Sequence, residues 1–215
     1  MSVEMLRIDY DIQHHLILSR RNLRDHAIVR LIVASLAERE EIVNVRRKDF
    51  RRHRGKEFEY YTVVLRSGGK RRVSVVDAKT FEIFQQLPEK PFEIDVSEVD
   101  EIVAKYSPED RKYDAEKLRK AVEMLLRDAS FFEIDIEELK NPEDLYAFML
   151  DFNPIYSDVW EVSDEEGFEE FVLNYAKIHG GSAAEISEKI GEDVEKIEKI
   201  LAKKKKSLLS FAEEL

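Results

Sequence analysis

The chain has 215 residues, no Cys, 38% charged residues and a formal net charge of −11. That length can bury a sizeable core and allows a main domain with a small appendage. The lack of thiols excludes a disulfide framework and thiolate chemistry, and no apolar run approaches the roughly 20 residues of a membrane span, so a soluble, cytoplasmic protein is expected.

The start, Met1-Ser2-Val3-Glu4, does not read as a signal peptide. Residues 1–21 are expected to form a surface helix or N-terminal arm. Asn22 reads as the N-cap of a buried helix through Ala37, with Leu23, Ala27, Ile28, Leu31, Ile32 and Leu36 inward. A short amphipathic turn, Glu40–Val45, precedes a basic stretch. Between Arg46 and Val76 eleven basic residues (Arg46, Arg47, Lys48, Arg51, Arg52, Arg54, Lys56, Arg66, Lys70, Arg71, Arg72) face only Asp49, Glu57 and Glu59. Its first part, with Arg51, Arg52 and Arg54, reads as a polar exposed connection. Its second part reads as a two-stranded ribbon, Phe58–Leu65 and Arg72–Val76, turned at Ser67-Gly68-Gly69.

Asp77 then caps a helix ended by Pro88, and Pro88–Pro91 is linker-like punctuation. Helices are expected over Val96–Lys105, from about Tyr113 to Arg127, and near Asn141–Leu150 with Asn141 as cap and Pro142 in the first turn. Asn153-Pro154 interrupts the pattern. Residues 161–215 read as an acidic helical module: a helix over Ser163–His179 stopped by Gly180-Gly181, then a helix-turn-helix pattern with Ala184 and Ile186 inward, a turn at Gly191, and Val194, Ile197 and Leu201 inward. Its second helix starts Glu192-Asp193-Val194-Glu195, carboxylates that would repel a DNA backbone.

Charge is unevenly shared. Residues 1–90 carry 19 Lys and Arg against 13 Asp and Glu, whereas residues 91–215 carry 16 against 33. The acidic total therefore does not describe the partner of the first half. Phosphates are the expected counter-charge of the basic stretch, with double-stranded DNA as the expected partner and a second copy of the chain as another. The bland alternative is an Arg-rich solvated surface paired with the acidic remainder of the same chain. Only eight Asn and Gln accompany the many Glu, Lys and Arg, a balance suited to a thermophile's surface ion-pair networks. The five His share no ligand-spaced motif with acidic residues, and Ser67-Gly68-Gly69-Lys70 is too short for a nucleotide-binding loop, so neither a metal nor a cofactor is expected.

Residues 22–160 resemble the catalytic domain of the tyrosine recombinases, the phage integrase family. Arg24–Leu36 followed by Glu41–Phe50 is similar to the family's buried helix, its Gly-Leu-Arg-x-x-Glu motif and the lead into its sheet. Val63–Val75 is similar to the hairpin carrying the catalytic Lys, with Lys70, or Arg66, near that position. Leu118-Arg119-Lys120 is similar to the segment of the second catalytic Arg. The resemblance implies an α+β, mostly helical, integrase-like domain with a small β-hairpin or sheet, and a Tyr that attacks a phosphodiester while cations stabilise the charge. Arg39, Lys70, Arg119 and Tyr156 would be the catalytic set.

The departures are specific. Glu38 stands where the first Arg belongs, with Arg39 one residue late, and Glu116 stands where a His precedes the second Arg. No Leu-Gly-His occurs, since that segment reads Glu138-Leu139-Lys140-Asn141. Tyr156 lies at about the family's distance beyond Arg119, whereas Tyr146 comes too early. The family's core-binding domain has no counterpart in the first 21 residues. A DNA-binding protein of integrase type without strand cleavage is therefore expected. The alternatives are an active site-specific recombinase and a helix-turn-helix regulatory or protein-interaction module.

Overall fold

The structure is a computed structural model that describes residues 3–130, 136–157 and 165–213. The chain divides into two compact units, Met1–Glu161 and Val162–Leu215. The first is mostly helical around a small antiparallel sheet. It comprises α1 (Val3–Ser19), α2 (Leu23–Ser35), α3 (Arg39–Asn44), β1 (Phe50–Arg54), β2 (Glu59–Ser67), β3 (Lys70–Val76), α4 (Ala78–Gln86), α5 (Val96–Lys105), α6 (Ala115–Ala129) and α7 (Pro142–Phe152).

Local capping sets most helix starts. The side chains of Asn22, Asp77, Asp114 and Asn141 accept from the backbone N–H of Asp25, Thr80, Lys117 and Glu143, each satisfying a donor the helix leaves orphaned. Helix α2 is buried along its length: Ala27, Ile28, Leu31 and Ile32 are fully covered, while Leu23 stays exposed at its first turn. Its Arg30 is also fully covered. The guanidinium donates to Asp77 Oδ2 at 2.5 Å and Thr80 Oγ1 at 2.9 Å, so the cap of α4 doubles as a buried counter-ion.

Residues 1–21, read as a surface helix or arm, do hold a helix but one in the core: Ile8, Ile12 and Leu16 of α1 join the same hydrophobic cluster as α2 and α6. Polar residues obscure this stripe in the sequence because they are paired inside. Asp11 is fully buried and accepts from Arg111 Nε and Nη2, at 2.8 and 2.6 Å, and from the Tyr113 hydroxyl at 2.9 Å. His15 donates from Nδ1 to the Asp11 carbonyl at 2.6 Å.

The ribbon is three-stranded, in the order β1-β2-β3. The expected connection through Arg51, Arg52 and Arg54 is β1, paired antiparallel to β2 with Phe50 opposite Val63 and Arg54 opposite Glu59. On the face shared by Phe50, Tyr61, Val63 and Ser74, Phe50 stacks on Phe84 and Tyr61 packs on Phe81, both from α4. The Ser74 hydroxyl donates to the Ser35 carbonyl of α2. Two turns depend on glycine. Gly68 and Gly69 take φ of 54° and 77° in the β2–β3 turn. At Gly55 a Cβ would lie 2.5 Å from Glu143 Oε1 and 2.7 Å from the Phe58 carbonyl, so the β1–β2 turn needs its close approach to α7.

The second unit holds α8 (Glu165–His179), α9 (Ala183–Ile190) and α10 (Val194–Glu213). A Ser182–Glu185 capping box opens α9, and Gly191 at φ 85° closes it. Phe168, Phe171, Ile186, Ile190, Ile197 and Ile200 are buried. Ala184 and Val194, expected inward, are exposed. The expected Ser163 start of α8 and the expected boundary at residue 161 lie outside the described residues.

Candidate nucleic-acid interface

Arg51, Arg52 and Arg54 lie on edge strand β1, Lys70, Arg71 and Arg72 on edge strand β3, Arg66 on the central β2, and Arg46, Arg47, Lys48 and Lys56 in the segments flanking β1. Four of them are committed to carboxylates. Arg47 faces Glu89 at 3.8 Å, Arg52 bonds Glu59 at 2.5 Å, and Arg66 bonds Asp49 at 2.8 Å. Arg72 forks onto Glu41, with Nε and Nη2 each 2.7 Å from a carboxylate oxygen. The other seven, Arg46, Lys48, Arg51, Arg54, Lys56, Lys70 and Arg71, are exposed and form no ion pair among the described residues. Edge strands are commonly blunted by charge, which is the structural reading of β1. Edge protection asks for charge of either sign, however, and every unpaired charge on this ribbon's strands is positive except Glu57 beside it. Arg66 also lies directly opposite Arg71, and the Asp49 carboxylate bonded to Arg66 offsets that pairing of like charges.

A cleft of about 500 Å³ opens between the Arg46–Lys48 segment and the β2–β3 turn, lined by Arg46, Lys48, Arg66, Gly68 and Gly69 together with the uncharged Asn44 and Ser67. A second cleft, of about 570 Å³, lies where α2 ends and is lined among others by Ser35, Glu38, Arg72, Arg119, Glu123, Leu139 and Lys140. It gathers Glu38, Arg119 and Leu139-Lys140, three positions matched above to separate catalytic motifs.

Both arginines that line this second cleft, Arg72 and Arg119, are ion-paired. Arg119 donates to both oxygens of Glu116, at 3.0 and 2.9 Å, and approaches Glu123 at 3.8 Å. Those hydrogen bonds hold the Glu116 carboxyl below its ordinary value, so it sits there as an anion. Arg39 points to Asp100 of α5 at 2.9 Å, and Lys70 is exposed at the hairpin turn. Of Arg39, Lys70, Arg119 and Tyr156, Arg119 alone lines the second cleft.

The location of Tyr156 follows from how α2 stops. Leu36 adopts the left-handed conformation at φ 54°, and its N–H returns to the Ile32 carbonyl. The next four carbonyls have no helical donor. Asn153 Nδ2 donates to Val33 at 3.0 Å, the Tyr156 hydroxyl to Ala34 at 2.8 Å, the Ser74 hydroxyl to Ser35 at 3.0 Å, and Arg72 Nη2 to Leu36 at 3.1 Å. Burial pushes the Tyr156 phenol well above its ordinary value. The phenol is thus held protonated and covered, with its O–H donated to the end of α2. The cation on Arg72 also meets the negative end of the α2 dipole. Asn153-Pro154, which read only as a break, brings both donors to the helix end: Pro154–Ser157 is a single 3-10 turn whose Ile155 N–H is fixed by Asn153 Oδ1.

Sequence reasoning missed Glu41 as the anchor of Arg72 and Asn153 as a helix terminator. The signal that could have found them is general: a buried helix must have donors for its last carbonyls. No group of three metal-ligating residues occurs among the described residues, and no helix among them is long and apolar enough to cross a membrane.

No protein-family model matches the chain. A protein of Archaeoglobus fulgidus, described as an uncharacterized protein, is 47% identical over 210 residues, covering 97% of this chain and 98% of that protein. The crystal structure of XerA recombinase aligns at a TM-score of 0.46 with 13% identity, covering 81% of this chain and 64% of that one. The chain belongs to the same family as the Archaeoglobus protein.

Proposed function

We propose that this member of the Archaeoglobus protein's family binds double-stranded DNA through the β1–β3 ribbon, as an integrase-like protein that does not cleave strands. The observation that carries the reading is the set of seven exposed cations without ion pairs on the ribbon and its flanks, in a chain of net charge −11. An acidic protein has ample carboxylate to neutralise such residues, and it has done so for Arg47, Arg52, Arg66 and Arg72. Cations left open are available to displace the counterions condensed on DNA.

Integrase ancestry is supported by the second cleft, which collects Glu38, Arg119 and Leu139-Lys140 from segments far apart in the chain. Loss of cleavage is supported there by Glu38, which would repel a phosphate, and by Arg119, held by Glu116, and outside the cleft by the Tyr156 hydroxyl, spent on Ala34. The acidic start of α10 argues against the second unit as the DNA-binding surface.

The test is a duplex-binding titration against salt with the wild type and R51A/R54A. Each phosphate that the variant no longer neutralises should make the slope of log affinity against log salt shallower by about 0.9. A variant with unchanged slope and affinity removes β1 from the interface. A covalent adduct with a nicked suicide duplex would refute the claim that cleavage is lost.

A further inference from the structure

We infer that the cleft between the Arg46–Lys48 segment and the β2–β3 turn is a phosphate site that accepts two adjacent phosphate charges. This deepens the DNA-binding reading above and rests on it for the source of the phosphate. Its walls are preorganised from below by one carboxylate. Asp49, only 3% exposed, accepts the Arg46 N–H at 2.9 Å and Arg66 Nη1 at 2.8 Å. Both walls are thus fixed to a single buried group, and Arg66 keeps 42% of its side chain accessible. Asn44 adds a second tie, donating at 3.4 Å to the Arg66 carbonyl.

The charge balance gives the ligand's class. Arg46, Lys48 and Arg66 supply three positive charges and Asp49 removes one, leaving two, and no lining side chain is acidic. Two phosphodiesters, or one compact polyphosphate, neutralise that excess. Access is open at the turn: a Cβ built on Gly68 or Gly69 meets nothing within 4 Å. A phosphate can therefore approach the backbone there without displacing a side chain.

The experiment uses the full chain labelled with ¹⁵N. A short duplex and, separately, inorganic pyrophosphate are titrated while the amides of Gly68, Gly69 and Arg46 are followed, and the duplex salt slope is measured for wild type, R46A/K48A and R51A/R54A. Saturable shifts of those amides with the duplex are expected. R46A/K48A should abolish them and make the slope shallower by about 1.8, so that raising salt fourfold costs the variant about tenfold less affinity than the wild type. Shifts with pyrophosphate alone support the phosphate site and assign its source to a free polyphosphate. No shift with either probe, or an R46A/K48A slope equal to wild type beside shifts that persist, overturns the site. In that case a shallower slope in R51A/R54A leaves the ribbon reading standing, and an unchanged one removes it as well.

Discussion

Replacing Tyr156 by Phe separates a nucleophile from a helix terminator. The substitution keeps the ring, which packs edge-on to Tyr146 at 5.3 Å between centroids, and deletes the hydroxyl that donates to Ala34 at 2.8 Å. Losing an ordinary hydrogen bond costs about 1 kcal/mol, and stranding a buried acceptor costs about 1–3 kcal/mol. Ala34 is fully covered and its carbonyl lies past the last helical donor, so no water or backbone group replaces the phenol. A loss of about 2 kcal/mol is expected, which for a unit of this size lowers Tm by about 4–8 °C. Asn153→Ala should cost at least as much, because Asn153 serves both the Val33 carbonyl and the Ile155 N–H. The double variant should be non-additive, since both donors close the same helix end. The assay is thermal unfolding by near-ultraviolet circular dichroism, beside the duplex-binding titration. Duplex affinity should be unchanged. A Tyr156→Phe protein with wild-type Tm would show that the hydroxyl is not holding α2, and a protein–DNA adduct formed by the wild type and absent in the variant would make Tyr156 the nucleophile.

Two further outcomes concern buried charge. Asp77→Asn keeps a side chain able to cap α4 but removes the charge of the carboxylate that the fully covered Arg30 guanidinium bonds at 2.5 Å, and should cost about 3–5 kcal/mol in chemical denaturation; a change under about 1 kcal/mol would show that the Asp77 charge does not hold Arg30. Burial lowers the His15 imidazole from 6.5 to about 4 and the His26 imidazole to about 3. The unfolded chain therefore takes up protons below 6.5 that the folded chain refuses, so stability is complete above that pH and falls as pH drops toward 4. For His15 the loss reaches about 3 kcal/mol at about 1.4 kcal/mol per pH unit. Urea midpoints at pH 7 and 4.5 should differ less in His15→Asn than in wild type, and an equal difference in both would refute the assignment.

What the sequence determined by itself is the local layer. Asn22, Asp77 and Asn141 mark helix starts because a cap bonds two or three residues ahead, and Gly68-Gly69 marks a turn because both residues need positive φ. The sign reversal between Arg46 and Val76 was equally legible, since charge is written residue by residue. β1 was not, because Arg51, Arg52, His53 and Arg54 carry no apolar alternation and become a strand only by pairing with β2. The same holds for α1, whose polar residues look external until Arg111 and Tyr113 meet Asp11 from 100 residues away. The tertiary structure alone decided which cations remain open. Arg72 and Arg71 are adjacent in the chain, yet Arg72 reaches Glu41 and the end of α2 whereas Arg71 faces solvent. It also decided where the Tyr156 hydroxyl goes, since its acceptor lies 122 residues earlier on a helix that stops at a left-handed Leu36. A side chain's chemistry is fixed by its type, but its availability depends on partners brought from distant parts of the chain.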